Sequence, residues 1–272
     1  MQLLLITDGK PGHRSQLAGL AAALPEAEAT WHDAAAHYEG PRPDVVAGAG
    51  RRTHWPLWRT TRRTGAKSVV LMRPSLPRRC YDLCVVPEHD GVSGPNVVTT
   101  VGALSDVRPL GGPRAGGLLM VGGPSKHHGW DEAGLLLQVD RLTADGGWTA
   151  TTSRRTPAAT TAALTALLDG RAEFVPCERT PPGWVRERLA AAEFAAVTED
   201  SVSMLSEAVT AGCRTAAIAV PRRNAGRVAR AADAMLAGGY ACRPNELATF
   251  RPARRLAEAD RVAALIRERL AA

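Results

Sequence analysis

Short apolar runs rich in Leu, Val and Ile alternate along this chain with alanine-rich stretches of helical period, and that alternation narrows the fold more than any other feature. It is the pattern of strands laid parallel in a sheet and joined by crossover helices, so the class is α/β. Strands are expected near 2–6, 44–47, 68–72, 83–86, 97–101, 117–121, 148–152, 172–175, 194–198 and 215–220. Helices are expected near 14–24, 53–64, 131–144, 157–168, 184–192, 201–211, 225–237 and 255–270. The stretch Val107-Arg108-Pro109-Leu110-Gly111-Gly112-Pro113-Arg114-Ala115-Gly116 has two Pro and three Gly and no periodicity, as a linker does. At 272 residues the chain exceeds a usual domain of about 100–200, and a division into two domains near residue 112 is expected.

After that break the second half restarts as the first began. Leu4-Leu5-Ile6 leads into Asp8-Gly9-Lys10-Pro11-Gly12-His13 and a helix, and Leu119-Met120-Val121 leads into Gly122-Gly123-Pro124-Ser125-Lys126-His127-His128-Gly129 and a helix. In an open α/β sheet such a loop lies at the carboxyl edge of its strand, where its amides and the following helix N-terminus form an anion site. Two Rossmann-like domains facing each other across a cleft is the architecture this pattern suggests.

Composition removes other classes. With 45% hydrophobic and 22% charged residues the chain is neither disordered nor collagen-like. No apolar run approaches the roughly 18–20 residues that span a bilayer, and Met1 to Ile6 meets Asp8 too soon for a signal peptide, so a cytoplasmic location is expected. Five scattered Cys without a Cys-x-x-Cys suggest buried thiols. The net charge of +7 comes with 31 Arg against three Lys, and no nucleic-acid-binding module accompanies it, so nucleic acid is not an expected partner. Between Arg51 and Arg79 stand nine basic residues and no acidic one, together with Trp55 and Trp58. Two readings stand for that stretch: a face that touches an anionic membrane or polyanionic acceptor, placing the protein peripherally on the membrane's inner face, or a solvated helix face with its Trp buried.

Two of the three Lys, Lys10 and Lys126, fall in the two Gly/Pro loops, where a compact ammonium can approach a phosphate or sugar oxygen in a way a planar guanidinium cannot. Neither loop is a Walker A motif, and Gly48-Ala49-Gly50 lacks the third Gly of a dinucleotide fingerprint. At Thr198-Glu199-Asp200-Ser201-Val202-Ser203 a strand ends in acidic and hydroxyl residues where a helix begins, with Val202, Leu205 and Val209 as its buried stripe and Ser203, Ser206, Glu207 and Thr210 on the other face. Asp200 or Ser201 serves as a cap whatever the function. Glu207, one turn beyond Ser203, is placed to accept from a ribose diol while the helix start holds a diphosphate. Ser153-Arg154-Arg155 ends another strand; Ser153 reads as a cap or a phosphate ligand, and the paired Arg as a phosphate site. His13 is a candidate general base. His127-His128 have no third ligand at metal spacing, so zinc is not expected, and no cofactor is expected.

These segments, Thr7 to Gln16, Gly122 to Trp130, Thr152 to Pro157 and Thr198 to Met204, resemble in sequence and order the bacterial relatives of the plant elongated-mitochondria (mitochondrial fission) protein. That family in turn resembles glycosyltransferases of the GT-B fold, such as the lipid II-forming N-acetylglucosaminyltransferase. The resemblance implies an N-terminal, acceptor-side domain over 1–110, a nucleotide-binding domain over 114–252, and a C-terminal helix over 253–272 returning to the first domain. It implies that Gly122, Gly123, Ser125 and Lys126 form a phosphate loop, with Ser201 and Ser203 as the diphosphate-binding helix start and Glu207 holding the ribose; Ser153, Arg154, Arg155, Glu199 and Asp200 are expected to complete the phosphate site. Gly12-His13 resembles the acceptor loop, with Asp8, Lys10 and His13 as the catalytic set. The implied activity is metal-independent transfer from a nucleotide-diphosphate sugar to an envelope polysaccharide or glycolipid. Nucleotide-sugar epimerisation remains open, as does a non-catalytic adaptor role known from plant members.

Overall fold

A computed structural model describes residues 1–109, 111–224 and 226–270, residue 227 by its backbone; Leu110 of the expected linker lies outside them. Two compact units are present: Met1–Asp106 with the C-terminal segment from Ala257 onward, and Val107–Leu256. The divisions fall at 106–107 and 256–257, against the expected 110–114 and 252–253. Ser15 donates to Asp106 Oδ1 at 2.8 Å, which keeps the chain with the first unit up to that residue. Arg114 already belongs to the second, donating to the Leu189 carbonyl at 2.7 Å.

The first unit contains β1 (Gln2–Thr7), α1 (Pro11–Ala22), β2 (Glu28–Asp33), β3 (Val45–Ala49), α2 (His54–Thr64), β4 (Lys67–Leu71), β5 (Leu83–Pro87) and β6 (Val97–Thr100). All its strand pairs are parallel, in the order β2-β1-β3-β4-β5-β6. Both faces of β1 are apolar: Leu3 and Leu5 pack with Leu17 and Leu20 of α1, whereas Leu4 and Ile6 pack with Leu57 of α2. Side chains alternate across a strand, so a run of consecutive apolar residues is what a sheet covered on both sides requires.

The second unit contains β7 (Gly117–Met120), α3 (Glu132–Thr143), β8 (Trp148–Thr151), α4 (Ala158–Leu168), β9 (Ala172–Val175), α5 (Trp184–Ala191), β10 (Phe194–Thr198), α6 (Val202–Thr210), β11 (Arg214–Ile218) and α7 (Arg227–Ala237). Its strands, again parallel, run β11-β10-β7-β8-β9 around a core of Leu119, Val121, Leu135, Val139, Leu164 and Ile218.

The expected strands and helices all form, and β2 is the strand that sequence reading misses. Glu-Ala-Thr-Trp-His-Asp lies at the sheet edge with no fully buried residue, so it carries no apolar run to announce it. Sequence reading also places Ser206 and Thr210 on the polar face of α6, but both are buried; Ser206 Oγ donates to the Val202 carbonyl at 2.8 Å and so enters the core satisfied.

The last helix, α8 (Glu258–Arg269), inserts Val262, Ala263 and Ile266 into the core beside α1. Its far end is held by Arg267, which reaches Glu26 at 2.7 Å and the Ala23 carbonyl at 2.8 Å. Ile266 is fully buried, so Ile266→Ala should lower the unfolding free energy by about 2–5 kcal/mol through lost burial and a cavity, measured by urea denaturation. A change within experimental scatter would mean that α8 is not integral to the first unit.

Candidate functional site

In an open parallel sheet, ligands bind beyond the carboxyl ends of the strands where the strand order reverses. In the first unit that point lies between β1 and β3. The loop after β1 brings Asp8, Lys10 and His13 together: His13 Nδ1 lies 2.8 Å from Asp8 Oδ1, and Lys10 Nζ lies 3.7 Å from Asp8 Oδ2. Burial pushes the Asp8 carboxyl up, but the His13 hydrogen bond, the Lys10 backbone N–H and both neighbouring charges bring it below its ordinary value. An ionised Asp8 fixes the proton of a neutral His13 on Nδ1 and leaves the Nε2 lone pair as the basic atom. The loop after β3 closes against the imidazole. Gly50 has φ +90°, and a Cβ there would run into the His13 ring. Gly48-Ala49-Gly50 therefore serves close packing: a Cβ on Gly48 would crowd Thr53, whose hydroxyl donates to the Gly50 carbonyl at 2.8 Å.

His54, at the start of α2, is a residue that sequence reading passes over. It is 1% exposed, its Nδ1 accepts from the Ser75 N–H at 3.0 Å, and its Nε2 is buried without a partner among the described residues. Burial, with the charges of His13 and Arg51, pulls its pKa down to about 4. The imidazole is thus neutral at pH 7, with its proton on Nε2.

In the second unit the strand order reverses between β7 and β10, and the loops after β7, β8 and β10 meet there. Asp200 ties them together: its Oδ2 accepts from Arg155 Nη2 at 2.7 Å and from the Gly123 N–H at 3.0 Å. Arg155 also donates to the Gly123 carbonyl at 2.6 Å, and the Gly122 N–H donates to Thr198 Oγ1 at 2.7 Å. A Cβ on Gly122 would strike the Asp200 carboxylate, and one on Gly123 the Arg155 backbone. These two glycines, Asp200 and Arg155 are therefore engaged with one another through contacts that join the three loops, while Asp200 Oδ1 is buried without a hydrogen-bond partner among the described residues. Ser153 and Ser125 likewise shape turns, Ser153 Oγ accepting from Arg155 N–H at 3.2 Å and Ser125 Oγ from the His127 and His128 N–H groups at 3.1 Å.

Glu199, expected in the phosphate site, is 2% exposed and held by two arginines. Arg222 grips it with Nε at 3.0 Å and Nη2 at 2.8 Å, and Arg243 Nη1 lies at 3.0 Å. Burial raises the Glu199 carboxyl, and these partners more than reverse that, holding it below the usual range. A carboxylate so paired is an internal anchor, because an unpaired charge there would cost several kcal/mol. Arg222 and Arg243 follow Glu199 by 23 and 44 residues, a separation at which no local pattern links them. His128 is fully buried, with both ring nitrogens unpartnered among the described residues; burial lowers its pKa, against the pull of Asp200 and Glu199.

Outward from this anchored layer stand Lys126 and Arg154, both exposed and forming no ion pair or side-chain hydrogen bond among the described residues. The start of α6 has no side-chain cap; Ser201 occupies the cap position half-buried, and Ser203 is exposed one position into the helix. Glu207 lies half-buried one turn beyond Ser203. Among the described residues no three His, Cys, Asp or Glu side chains gather as metal ligands would.

The sequence matches the mitochondrial fission ELM1 family over residues 11–270. The chain belongs to that family. No curated protein sequence matches this ELM1-family chain. Solved structures resemble it along nearly its full length. A UDP-GlcNAc 2-epimerase from Neisseria meningitidis, bound to UDP-GlcNAc, is 9% identical with a TM-score of 0.62, covering 100% of both chains. MurG from Acinetobacter baumannii is 12% identical with a TM-score of 0.57, over 98% of this chain and 99% of that one. The MnaA–UDP structure from S. aureus is 12% identical with a TM-score of 0.58, over 98% and 96%. At these identities the likeness establishes the fold, GT-B, with two Rossmann-like domains.

Because the folded ELM1-family chain holds His54 neutral down to about pH 4, against an ordinary 6.5, the unfolded chain takes up this proton first as pH falls. Stability from this group is complete above pH 6.5 and declines towards pH 4, by about 3 kcal/mol in all. His54→Gln should flatten that part of the profile. Urea midpoints collected between these pH values measure it, and an unchanged slope in the variant would refute the assignment.

Proposed function

We propose that this chain is a nucleotide-sugar-dependent enzyme whose second unit holds the donor's diphosphate and whose first unit supplies a base to an acceptor hydroxyl. The observation that carries the reading is the pair of cations without a partner among the described residues, Lys126 and Arg154, on the loops after β7 and β8, the two strands next in the sheet to β10, which leads into the uncapped start of α6. A helix start offers amides and a partial positive charge, and two cations beside it suit a diphosphate. Ser201 and Ser203 would add hydroxyl donors, and Glu207 would accept from the ribose.

In glycosyl transfer the acceptor oxygen attacks the anomeric carbon, its proton passes to His13 Nε2, and the bond from that carbon to the diphosphate oxygen breaks. Negative charge then develops on the leaving diphosphate, where Lys126, Arg154 and the helix start would stabilise it. Asp8 would stabilise the imidazolium that His13 becomes. The neighbours bound to UDP-GlcNAc or UDP support a nucleotide sugar as the ligand class. An acceptor in envelope polysaccharide or glycolipid assembly fits the basic α2, where Trp55 is 56% exposed and stacks 4.9 Å from Trp58. No helix among the described residues is long and apolar enough to cross a membrane, so contact with a lipid surface would be peripheral. Epimerisation is the second reading, favoured by the likeness to UDP-GlcNAc 2-epimerases; it would consume a nucleotide sugar without an acceptor.

Calorimetry with nucleoside diphosphates, monophosphates and nucleosides tests the donor site. Lys126→Ala and Arg154→Ala should each weaken the diphosphate about 10–150-fold while sparing the nucleoside, as expected for a lost charge-assisted contact of about 1.5–3 kcal/mol. Glu207→Ala should weaken all three ligands. His13→Ala should bind like the parent and lose turnover about 100-fold or more. Tight nucleotide binding with no consumption of any nucleotide sugar would instead identify a binding protein.

A further inference from the structure

We propose that the first unit holds a pocket for an organic phosphate ester, formed by the segment between β4 and β5 and independent of the nucleotide site of the second unit. A cavity of about 380 Å³ opens there, within the size range of small-molecule sites. Arg73 and Arg78 line it, with Ser93 as a hydroxyl donor and Leu76 and Val92 as apolar walls.

No carboxylate lines the cavity, and neither arginine forms an ion pair or side-chain hydrogen bond with another described residue. Both belong to the run from Arg51 to Arg79, which has no acidic residue to neutralise it. Two guanidinium groups with free N–H forks beside one cavity match the oxygens of a phosphate. The apolar walls suit the organic part of an ester, which a bare anion would leave uncovered.

The segment is also held in shape without a helix or a strand of its own over residues 72–77. Met72, with φ 75°, is among the described residues the one non-glycine in the left-handed region, a conformation that persists only where the surroundings impose it. Its N–H donates to the Val85 carbonyl at 2.8 Å. Three residues on, the Ser75 N–H is fixed on the buried His54 ring at 3.0 Å. Asn96 Nδ2 closes the far end on the carbonyls of Arg78 at 2.9 Å and Tyr81 at 2.7 Å. The strain at Met72 and the anchors at Ser75 and Arg78 set where the two arginines leave the backbone. A ligand therefore meets a wall already ordered, and loses less affinity to ordering it.

A soluble ester and a lipid headgroup present the same phosphate, so the test uses glycerol phosphate in calorimetry and flotation on phosphatidylcholine vesicles with and without phosphatidic acid. The full chain should bind one of these probes, and Arg73→Ala and Arg78→Ala should each weaken it about tenfold, with Arg73→Lys milder than Arg73→Ala. Both arginines are exposed, so truncation leaves the core intact. Binding of glycerol phosphate identifies a soluble ligand; binding to phosphatidic acid vesicles alone identifies a lipid headgroup. Either supports the pocket when the arginine variants lose it and Lys126→Ala does not. Loss in Lys126→Ala alone would place the phosphate in the second unit, overturning the pocket and leaving the proposed function intact. No binding of either probe, or binding unaffected by both arginine variants, overturns it as well.

Discussion

A single buried carboxylate, Asp200, sets the form of the second unit's carboxyl edge. A charge withdrawn from water is tolerated only when paired and hydrogen-bonded, and Arg155 with the Gly123 N–H provides both. Asp200 and these partners of its Oδ2 come from loops after three adjacent strands, so pairing the charge ties the three loops to one another. The two glycines follow from the same demand, since the Asp200 carboxylate and the Arg155 backbone occupy the space their side chains would need. Glu199 extends the anchor in the other direction through Arg222 and Arg243. With these charges engaged inside, the groups left outside are cations, hydroxyls and a helix start, a surface suited to an anion.

The first unit uses the same topological device with different chemistry. At its reversal of strand order an ionised Asp8 directs the His13 tautomer, and Gly50 gives the ring room to lie against the neighbouring loop. The neutral His54 beside it is set by burial and by one backbone N–H from Ser75. The two edges thus differ in kind: one presents the exposed Lys126 and Arg154, and the other an imidazole oriented by a carboxylate.

The motifs fall on the loops at the second unit's reversal of strand order, and their residues divide between groups bonded to one another inside the protein and groups left exposed. Gly122, Gly123, Arg155, Glu199 and Asp200 share one sequence signature with Lys126, Arg154, Ser201 and Ser203, because a loop that holds an anion and a loop that holds itself use the same residue types. Arg154 and Arg155 are adjacent, yet Arg155 reaches Asp200 and Arg154 forms no ion pair among the described residues. No property of the dipeptide distinguishes them; the direction each side chain takes from the turn does.

The order of strands and helices was legible in the sequence because it rests on local quantities: period, apolar runs, and Gly and Pro at the ends of elements. The edge strand β2 escaped for the same reason, having no buried face to leave a trace. The family, too, was written in local motifs and their order. Tertiary structure alone decided which carboxylates pair with which arginines, that Gly50 faces His13, and that His54 is held neutral. Each of these depends on burial and on partners distant in the chain, and a charge or an imidazole acquires its chemistry only from the water it loses and the groups it meets.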